Sequence, residues 1–355
     1  MISTQKQNIN SQQEDKKNIK CVVWDLDNTL WEGILLEDEK VSLRKDIVTI
    51  IHTLDSRGIL QCIASKNDYA TAIAKIEEYG LKEYFLYPQI NWNSKATSLK
   101  EIGILLNIAL DAIAFVDDQL FELEEVKFTL PEILCINADD IENILDMPVM
   151  QPRFITEDSR IRRLMYISDI ERQNAEKEFV GTADEFLATL NMNFTISSAK
   201  EEDLQRAEEL TLRTNQLNTT GYTYSYDELN HFCSSENHKL LIASLEDKYG
   251  SYGKIGLVLI ECQAKVWKVK LLLMSCRVIS RGVGTIMLNY VMSLAKSNNV
   301  RLIAEFVPNN RNRMMYVSYK FAGFKEIEND DSLITFENDL TRIQPVPSYI
   351  TFQGC

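Results

Sequence analysis

Two carboxylates one residue apart follow an apolar stretch near the start of the chain. In the segment CVVWDLDNTLW, Asp25 and Asp27 come directly after residues that are typical of a buried strand. Asp and Asn are also common in turns and at helix caps, so the pair alone has an ordinary structural explanation. The pair becomes informative because other polar residues occupy equivalent places further along the chain.

Three later segments also place polar side chains where predicted strands end. Ser65 ends the strand pattern ILQCIAS, Asp117 and Asp118 end AIAFVDD, and Lys95 lies near the start of a later helix in NWNSKATS. In a parallel α/β sheet, ligands bind beyond the carboxyl ends of the strands. We therefore expect these side chains to converge at one edge of the sheet.

The chemistry of such a cluster follows from its charge. Crowded carboxylates repel, and one of them takes up a proton unless a cation lies among them. Carboxylate oxygens with water suit Mg²⁺, and a phosphate group completes the coordination shell. A serine and a lysine added to that site bind phosphoryl oxygens. The pattern predicts a magnesium and phosphate site.

The elements that carry these residues alternate between strands and helices over the first 150 residues. The runs IKCVVW, ILQCIAS, AIAFVDD and EILCINA are continuously apolar, as in strands that are covered on both faces. Between them, residues 45–58 and 68–80 show helical spacing and end at Gly58 and Gly80. This alternation predicts a doubly wound parallel sheet.

The second half follows a different order. Prolines in DMPVMQPRF mark a boundary, and a polar helical stretch follows. From about Asn193 the pattern is strand, helix, a hairpin, strand, helix, strand and helix, which predicts a mixed α+β domain. We expect a disordered leader over residues 1–18, an α/β domain over 19–148, a helical connector over 149–190, the second domain over 191–340, and a tail or linker over 341–355. That tail is either an ordinary terminus or a linker within a larger synthase polypeptide.

The second domain offers its own candidate residues. Cys276 ends a strand beside Arg277 and near Arg281; a buried structural cysteine is the ordinary explanation, but guanidinium groups also activate thiols. Gly282 and Gly284 open the next helix, as a simple turn or as a cradle for phosphate or pantetheine.

A polar run, LRTNQLNTT, follows an amphipathic helix of this domain and contains Asn215 and Gln216. It is either a helix end or the lining of a polar substrate pocket. His231 and His238 stand in no recognisable motif.

Composition excludes several classes of function. The 355 residues carry a formal charge of -14, which argues against nucleic acid or an anionic membrane surface as the main partner. No apolar run is long enough to span a membrane, and the polar start is not a signal peptide. Seven cysteines without a C-x-x-C pair indicate a reducing compartment and no zinc site, so we expect a cytoplasmic protein.

The ordered set DLDNT, Ser65, Lys95 and DD resembles the motifs of the haloacid dehalogenase (HAD) superfamily of phosphotransferases. The resemblance implies that Asp25 is the nucleophile and Asp27 the general acid and base. Ser65 and Lys95, with Asn28 and Thr29, would bind phosphate. Mg²⁺ would be held by Asp25, Asp27, Asp117 and Asp118. Ser65 follows Asp25 by only 40 positions, too few for an inserted lid domain, so we expect a capless, open site.

The second half resembles the GNAT acyltransferase fold through Gly282, Gly284 and a later AGF. The usual Gln or Arg three positions before the first glycine is replaced by Ile279, so another pantetheine thioester fits better than acetyl-CoA. Both halves together resemble the FkbH-like proteins of polyketide assembly lines, through WDLDNTLWEGIL, SKND, VDD, TNQLN and LMSCRV. Leu217 stands where that family has Phe.

The FkbH-like resemblance implies a glyceryl transferase that takes 1,3-bisphosphoglycerate, removes phosphate, and loads an acyl carrier protein. Our hypothesis is that Cys276 carries the glyceryl thioester, with Asn215, Gln216, Arg277, Arg281, Gly282 and Gly284 binding substrate or pantetheine. One alternative is a plain Mg²⁺-dependent phosphatase whose second domain recognises a large substrate. Another is a scaffold that docks carrier proteins without catalysis. The order of dephosphorylation and acyl transfer does not follow from the sequence.

Overall fold

The computed structural model describes residues 18–330 and 332–354, in two compact units that divide between Ile155 and Thr156. The expected leader lies outside the described residues, apart from Asn18. Each helix of the described ranges is too short or too polar to cross a bilayer.

The first unit alternates strands and helices as expected. Its strands are β1 (Cys21–Trp24), β2 (Trp31–Glu32), β3 (Ser42–Leu43), β4 (Leu60–Ser65), β5 (Gln89–Ile90), β6 (Ile113–Asp117) and β7 (Leu134–Asn137). Its helices are α1 (Ile47–Ser56), α2 (Tyr69–Glu78), α3 (Lys95–Leu106) and α4 (Leu120–Thr129).

Five strands of this unit form a parallel sheet in the order β5-β4-β1-β6-β7. Every residue of β1, β4 and β6 is buried, which explains their unbroken apolar character. The chain leaves β1 in one direction to β4 and β5 and then crosses to β6 on the other side. The carboxyl ends of β1 and β6 therefore flank the point where the strand order reverses, the usual ligand site of such sheets.

The helices around this sheet begin and end at the residues the sequence indicates. Helix α1 buries its apolar stripe, Ile47, Ile50, Ile51 and Leu54, and the chain turns at Gly58 with a positive φ of 71°. Asp68 caps α2 by accepting a hydrogen bond from the Thr71 amide. Ser94 caps α3 in the same way, which fixes the start of the helix at Lys95.

The second unit is a mixed α+β fold. Its strands are β8 (Met192–Ser198), β9 (His238–Asp247), β10 (Gly250–Cys262), β11 (Val266–Met274), β12 (Arg301–Phe306), β13 (Lys325–Asn329), β14 (Ile334–Asn338) and β15 (Ile350–Gly354). Its helices are α5 (Glu157–Arg160), α6 (Arg162–Glu178), α7 (Ala183–Thr189), α8 (Leu204–Arg213), α9 (Tyr226–Ser234), α10 (Val283–Ser297) and α11 (Arg313–Phe321).

These eight strands form one sheet in the order β13-β14-β12-β11-β10-β9-β8-β15. Strands β8 to β11 pair antiparallel with one another, including the predicted hairpin of β9 and β10, and β12 is parallel to β11. Helices α7, α10 and α11 cover one face of the sheet and α8 with α9 the other, so each face buries its own apolar core. The expected architecture, a doubly wound parallel sheet followed by a separate α+β unit, is confirmed.

Strands β11 and β12 separate after a short paired stretch. Their register runs only from Val266–Arg301 to Val269–Ala304. Beyond it, Met274 donates its amide to the Leu217 carbonyl at 3.0 Å, and the Thr219 amide donates to the Leu272 carbonyl at 3.0 Å. The Val307 amide donates to the Thr219 carbonyl at 3.0 Å, so residues 217–219 fill the gap between the two strands.

The segment expected as a connector, residues 149–190, differs from that expectation. Residues 149–155 belong to the first unit, where the Ile19 amide donates to the Val149 carbonyl. The rest of the segment is part of the second unit, because a buried charged side chain of α6 forms an ion pair with the sheet. Arg172, only 1% exposed, forms a two-pronged ion pair with Asp247 and contacts Asp169.

The segment expected as a tail or linker, residues 341–355, contains a strand. Residues Ile350–Gly354 form β15, which pairs in parallel with β8 at the edge of the sheet. The Phe352 ring stacks on Phe194 with centroids 6.0 Å apart, so burial of aromatic surface holds this segment in place.

Replacement of Arg172 by alanine tests the role of α6. The change leaves the buried Asp169 and Asp247 without their cation and removes a guanidinium that lies 3.8 Å from the Tyr252 ring centre. We expect a loss of about 3–5 kcal/mol in the free energy of unfolding of the second unit, measured by urea denaturation. Arg301→Ala, which breaks an exposed ion pair with Glu337, is the control and should change little. Equal effects of the two changes would show that α6 is a loosely attached connector.

Candidate functional site

The carboxyl edge of the first sheet brings a lysine into a group of buried carboxylates. Lys95, at the first position of α3, directs its ammonium at the Asp25 carboxylate, with which it forms a buried ion pair. The same nitrogen lies 3.0 Å from Asp117 Oδ2 and donates to the Ala64 carbonyl at 2.8 Å. Burial opposes the charge of Lys95, but Asp25 and Asp117 outweigh burial and raise its pKa. The lysine is therefore a fixed positive charge.

Three carboxylates meet at this point. Oxygens of Asp25, Asp117 and Asp118 all lie within 4.8 Å of one another, from the ends of adjacent strands β1 and β6. Asp118 Oδ1 is buried and, among the described residues, has no hydrogen-bond partner. Asp117 Oδ2 is likewise without an aligned hydrogen bond, although it lies close to Lys95. The charge of one lysine does not neutralise three carboxylates. The oxygens that have no hydrogen bond fit a hard divalent cation such as Mg²⁺.

The pKa values of the carboxylates at this site are raised. Burial, opposed by Lys95 and assisted by Asp25, raises the pKa of Asp117 to about 6. Burial and the Asp25 charge also raise the pKa of Asp118. Burial is the largest cause of both shifts, so the charged forms of these carboxylates are costly without a further cation.

Asp27 occupies a different environment from the other three carboxylates. Its Oδ1 accepts hydrogen bonds from the Trp31 indole at 2.8 Å and the Leu35 amide at 3.0 Å, and Oδ2 accepts one from Asn67 at 3.0 Å. The structure thus leaves Asp27 outside the group of potential metal ligands, unlike the expectation, because its oxygens are already engaged. Burial raises the pKa of Asp27, while the Leu35 and Trp31 hydrogen bonds oppose that shift. A positioned carboxyl with a raised pKa suits general acid and base chemistry.

The predicted phosphate-binding residues differ in their positions and in their hydrogen bonds. Ser65 is buried at the last position of β4, the strand that pairs with β1. Asn28 adopts a left-handed conformation, and its side-chain oxygen accepts a hydrogen bond from the Gly33 amide, so it shapes the turn after β1. Thr29 is completely buried, and its hydroxyl has no hydrogen-bond partner within the described ranges.

Sequence reasoning missed the residues that hold the site in shape. Asn67 and Trp31 orient Asp27, and Lys66 forms an ion pair with Glu122 at 2.5 Å, linking the segment after β4 to the first turn of α4. The segments SKND and WDLDNTLWEGIL contribute to the family resemblance, but Asn67 and Trp31 within them received no role. Trp31 follows Asp27 by four positions, and this short spacing was a local signal that the two side chains could meet. The Lys66–Glu122 pair spans 56 positions, so no local pattern predicts it.

The second unit places Cys276 in a tight turn after β11. The thiol is free and partly buried, and the turn runs from Cys276 to Arg281. The preceding residue, Ser275, donates its amide to the Ile255 carbonyl at 2.6 Å, which fixes the turn against β10. Arg277 donates to the Tyr252 carbonyl at 2.9 Å, and buried Arg281 lies 3.4 Å from Glu176 of α6.

The two glycines beside this turn are explained by packing. Gly282 caps α10 with a positive φ of 75°, and a Cβ there would lie 2.9 Å from the Tyr349 hydroxyl. A Cβ on Gly284 would lie 2.6 Å from Met274 Cε. Tyr349 and Met274 thus occupy the space beside Gly282 and Gly284, where the sequence suggested a cradle for phosphate or pantetheine.

The polar run after α8 is split between surface and core. Asn215 and Gln216 are exposed, whereas residues 217–220 are buried in the gap between β11 and β12. Asn312 donates to the Asn218 carbonyl at 3.0 Å and to the Val307 carbonyl at 3.0 Å, which secures the insertion. The buried amides and hydroxyls of residues 217–220 therefore complete the sheet.

No family model matches the chain, and no curated protein matches it. Among solved structures, the first unit is similar to the N-terminal part of a Bacteroides fragilis protein, described as containing a phosphatase domain complexed with Mg. Identity is 26%, the match covers 38% of this chain and 40% of that chain, and the TM-score is 0.32.

The second unit is similar to GNAT structures. The ribosomal-protein-S18-alanine N-acetyltransferase from Escherichia coli is 16% identical over 45% of this chain and 99% of that chain, with a TM-score of 0.33. An acetyltransferase of the GNAT family from Streptococcus pneumoniae is 18% identical over 41% and 95%, with a TM-score of 0.30. The fold class itself rests on the strand order and register described above.

Mg²⁺ should stabilise the first unit through the three converging carboxylates. We expect its thermal midpoint to rise with the logarithm of the Mg²⁺ concentration, because the ion binds the folded site and not the unfolded chain. Asp118→Asn removes one ligand charge and should weaken this response, as measured by differential scanning calorimetry. Glu101→Gln, an exposed change on α3, is the control and should leave it intact. A midpoint indifferent to Mg²⁺ in the unaltered chain would contradict the metal site.

Proposed function

We propose that this chain is a two-site enzyme that makes a glyceryl thioester from 1,3-bisphosphoglycerate and loads it onto an acyl carrier protein. The first unit acts as a Mg²⁺-dependent phosphatase, and Cys276 of the second unit carries the acyl group. The observation that supports the first activity best is the convergence of Asp25, Asp117 and Asp118 around Lys95.

The first unit has the groups that phosphoryl transfer requires. Mg²⁺, when bound by Asp25, Asp117 and Asp118, supplies positive charge to the transferring phosphoryl group. Asp25 attacks phosphorus and forms an aspartyl-phosphate, which divides one difficult hydrolysis into two steps. Lys95 donates to the phosphoryl oxygens and offsets their charge. Asp27, held by Trp31 and Asn67, gives a proton to the leaving oxygen and then takes one from the attacking water.

The acyl transfer assigned to the second unit needs no external energy source. In an acyl phosphate the carbonyl carbon is already activated, so the Cys276 sulfur displaces phosphate as its carbon–oxygen bond breaks. The thioester then passes to the phosphopantetheine thiol of the carrier. The free, partly buried thiol at a strand end beside Arg277 supports this role.

One observation favours a simpler alternative, a Mg²⁺-dependent phosphatase with a recognition unit. Residues 217–219 fill the gap between β11 and β12, and Tyr349 lies against Gly282, so two places for an extended pantetheine chain are occupied by the protein itself. Under that alternative the second unit binds a large phosphorylated substrate and Cys276 is structural.

Intact-protein mass spectrometry of the chain incubated with 1,3-bisphosphoglycerate, Mg²⁺ and a holo carrier protein distinguishes these functions. We expect a glyceryl increment on the carrier and an adduct on the enzyme that Cys276→Ala abolishes. An adduct that persists in Cys276→Ala would exclude the thioester role. Cys262→Ala, at the end of β10, is the matched control.

Phosphate release tests the first unit separately. Asp25→Asn should lower Mg²⁺-dependent release of phosphate by roughly a thousandfold or more, since the nucleophile is lost. If the unaltered chain and Cys276→Ala release phosphate equally and the unaltered chain itself loads no carrier, the plain phosphatase is the correct function. If the unaltered chain releases no phosphate from any acyl phosphate or monoester, both are wrong.

A further inference from the structure

Lys66 and Glu122 form an ion pair that joins two segments on opposite sides of β1. Lys66 directly follows β4, and Glu122 lies in the first turn of α4, the helix after β6. In the sheet, β4 and β6 are the two neighbours of β1. A contact between the segments that follow them therefore passes by the carboxyl end of β1, where Asp25 lies.

The segment that carries Lys66 contacts the proposed catalytic groups on both sides of the lysine. The Ala64 carbonyl accepts a hydrogen bond from Lys95 at 2.8 Å, and Asn67 donates one to Asp27 at 3.0 Å. Under the proposed function, Asp27 protonates the leaving oxygen of the substrate. Lys66 is the neighbour of the residue that holds this acid, so the part of the substrate beyond the leaving oxygen would extend toward Lys66.

Glu122 restrains the ammonium of Lys66 at this rim of the site. The Glu122 side chain is 6% exposed, and its Oε1 lies 2.5 Å from the Lys66 ammonium. Glu122 Oε2 is buried without a hydrogen-bond partner among the described residues, so Lys66 is the group that compensates this carboxylate. Removing the partner of a buried charge is strongly unfavourable. The lysine is thereby held in place, although its side chain is intrinsically flexible.

Lys66 retains hydrogen-bonding capacity for a ligand. A lysine ammonium donates several hydrogen bonds, and within the described ranges that of Lys66 goes to Glu122 alone. The Lys66 side chain is 35% exposed, in contrast to the buried Lys95. A ligand at the rim can therefore reach the remaining N–H groups of Lys66.

We propose that Lys66, positioned by Glu122, binds a second anionic group of the substrate, so that the first unit prefers phosphorylated acids to phosphate esters of uncharged alcohols. An ammonium forms charge-assisted hydrogen bonds with carboxylate or phosphate oxygens, and these are stronger than hydrogen bonds between neutral groups. Lys95 acts on the phosphoryl group, whereas Lys66 acts on the rest of the molecule and determines specificity. The inference rests on the proposed phosphatase for its role but not for its binding test.

Two phosphate esters that differ at one carbon test this preference in the full chain. 3-Phosphoglycerate carries a carboxylate where glycerol 3-phosphate has an uncharged hydroxymethyl group. We expect kcat/KM for Mg²⁺-dependent phosphate release to be higher for 3-phosphoglycerate by about tenfold or more, since a hydrogen bond to a charged group is gained.

Variants of Lys66 separate recognition from a structural role. Lys66→Gln should lower kcat/KM for 3-phosphoglycerate by about tenfold or more and for glycerol 3-phosphate by no more than about threefold. Lys66→Arg should restore part of the preference, because it keeps the charge. A lysine that only holds the fold together would affect both esters alike.

A second variant guards against loss of folding, because Lys66→Gln leaves the buried Glu122 without its cation. In Lys66→Gln/Glu122→Gln the two amides can hydrogen-bond to each other, and no buried charge remains unpaired. This variant should fold and should show the same loss of preference. Lys127→Gln, which breaks an exposed pair with Glu124 on α4, is the matched control and should keep the preference of the unaltered chain.

Calorimetric titration measures binding without turnover. In Asp25→Asn, which lacks the nucleophile, we expect 3-phosphoglycerate with Mg²⁺ to bind about tenfold or more tightly than glycerol 3-phosphate. Adding Lys66→Gln to this variant should abolish the difference, and adding Lys127→Gln should not.

Two results would overturn the inference. One is equal or undetectable binding of both esters by Asp25→Asn. The other is a loss of kcat/KM in Lys66→Gln that is the same for both esters, which would show a structural role and leave the proposed phosphatase standing. A binding preference that depends on Lys66, without any phosphate release by the unaltered chain, would refute the proposed phosphatase and support the binding inference.

Discussion

The first unit depends on one interaction, the burial of the Lys95 ammonium among carboxylates that end two adjacent strands. A lysine placed there is stable only because Asp25 and Asp117 compensate its charge, and those carboxylates are tolerated so close together only because the lysine is present. The caps of α3 and the full burial of β1 and β6 fix all three positions. The oxygens of Asp117 and Asp118 that have no hydrogen-bond partner among the described residues fit a divalent cation, and the proposed phosphatase activity depends on this fit.

The second unit is held together by buried ion pairs and by a sheet that its own chain completes. Residues 217–219 fill the gap between β11 and β12, and β15 extends the sheet beside β8. Charged side chains of the helices are buried by pairing: Arg172 of α6 with Asp247, and Arg206 of α8 with Asp158 and Glu209. Such pairs are tolerated in the interior because each charge has its partner at hand.

Much of this arrangement could be predicted from the sequence, and the missing parts share a physical cause. Asp25, Lys95 and Asp117 were found because strand and helix periodicity places them at one sheet edge. Helix α6 was taken for a connector because its charged residues suggest solvent, whereas Arg172 is buried by pairing with Asp247, a partner 75 positions away. Strand β15 pairs with a strand 158 positions earlier in the chain (Ile350 with Met192), and no local sequence pattern predicts such a contact. The periodicity of apolar residues in the sequence indicates which of them are buried, but it gives no information about buried ion pairs.

The most direct test of the account is a crystal structure of the full chain grown with Mg²⁺ and beryllium fluoride, which imitates a phosphoryl group on a carboxylate. The account predicts beryllium bonded to Asp25, Lys95 donating to a fluoride, and Mg²⁺ held between Asp25 and the Asp117–Asp118 pair. An unmodified Asp25 still paired with Lys95, with Mg²⁺ bound elsewhere or not at all, would contradict it.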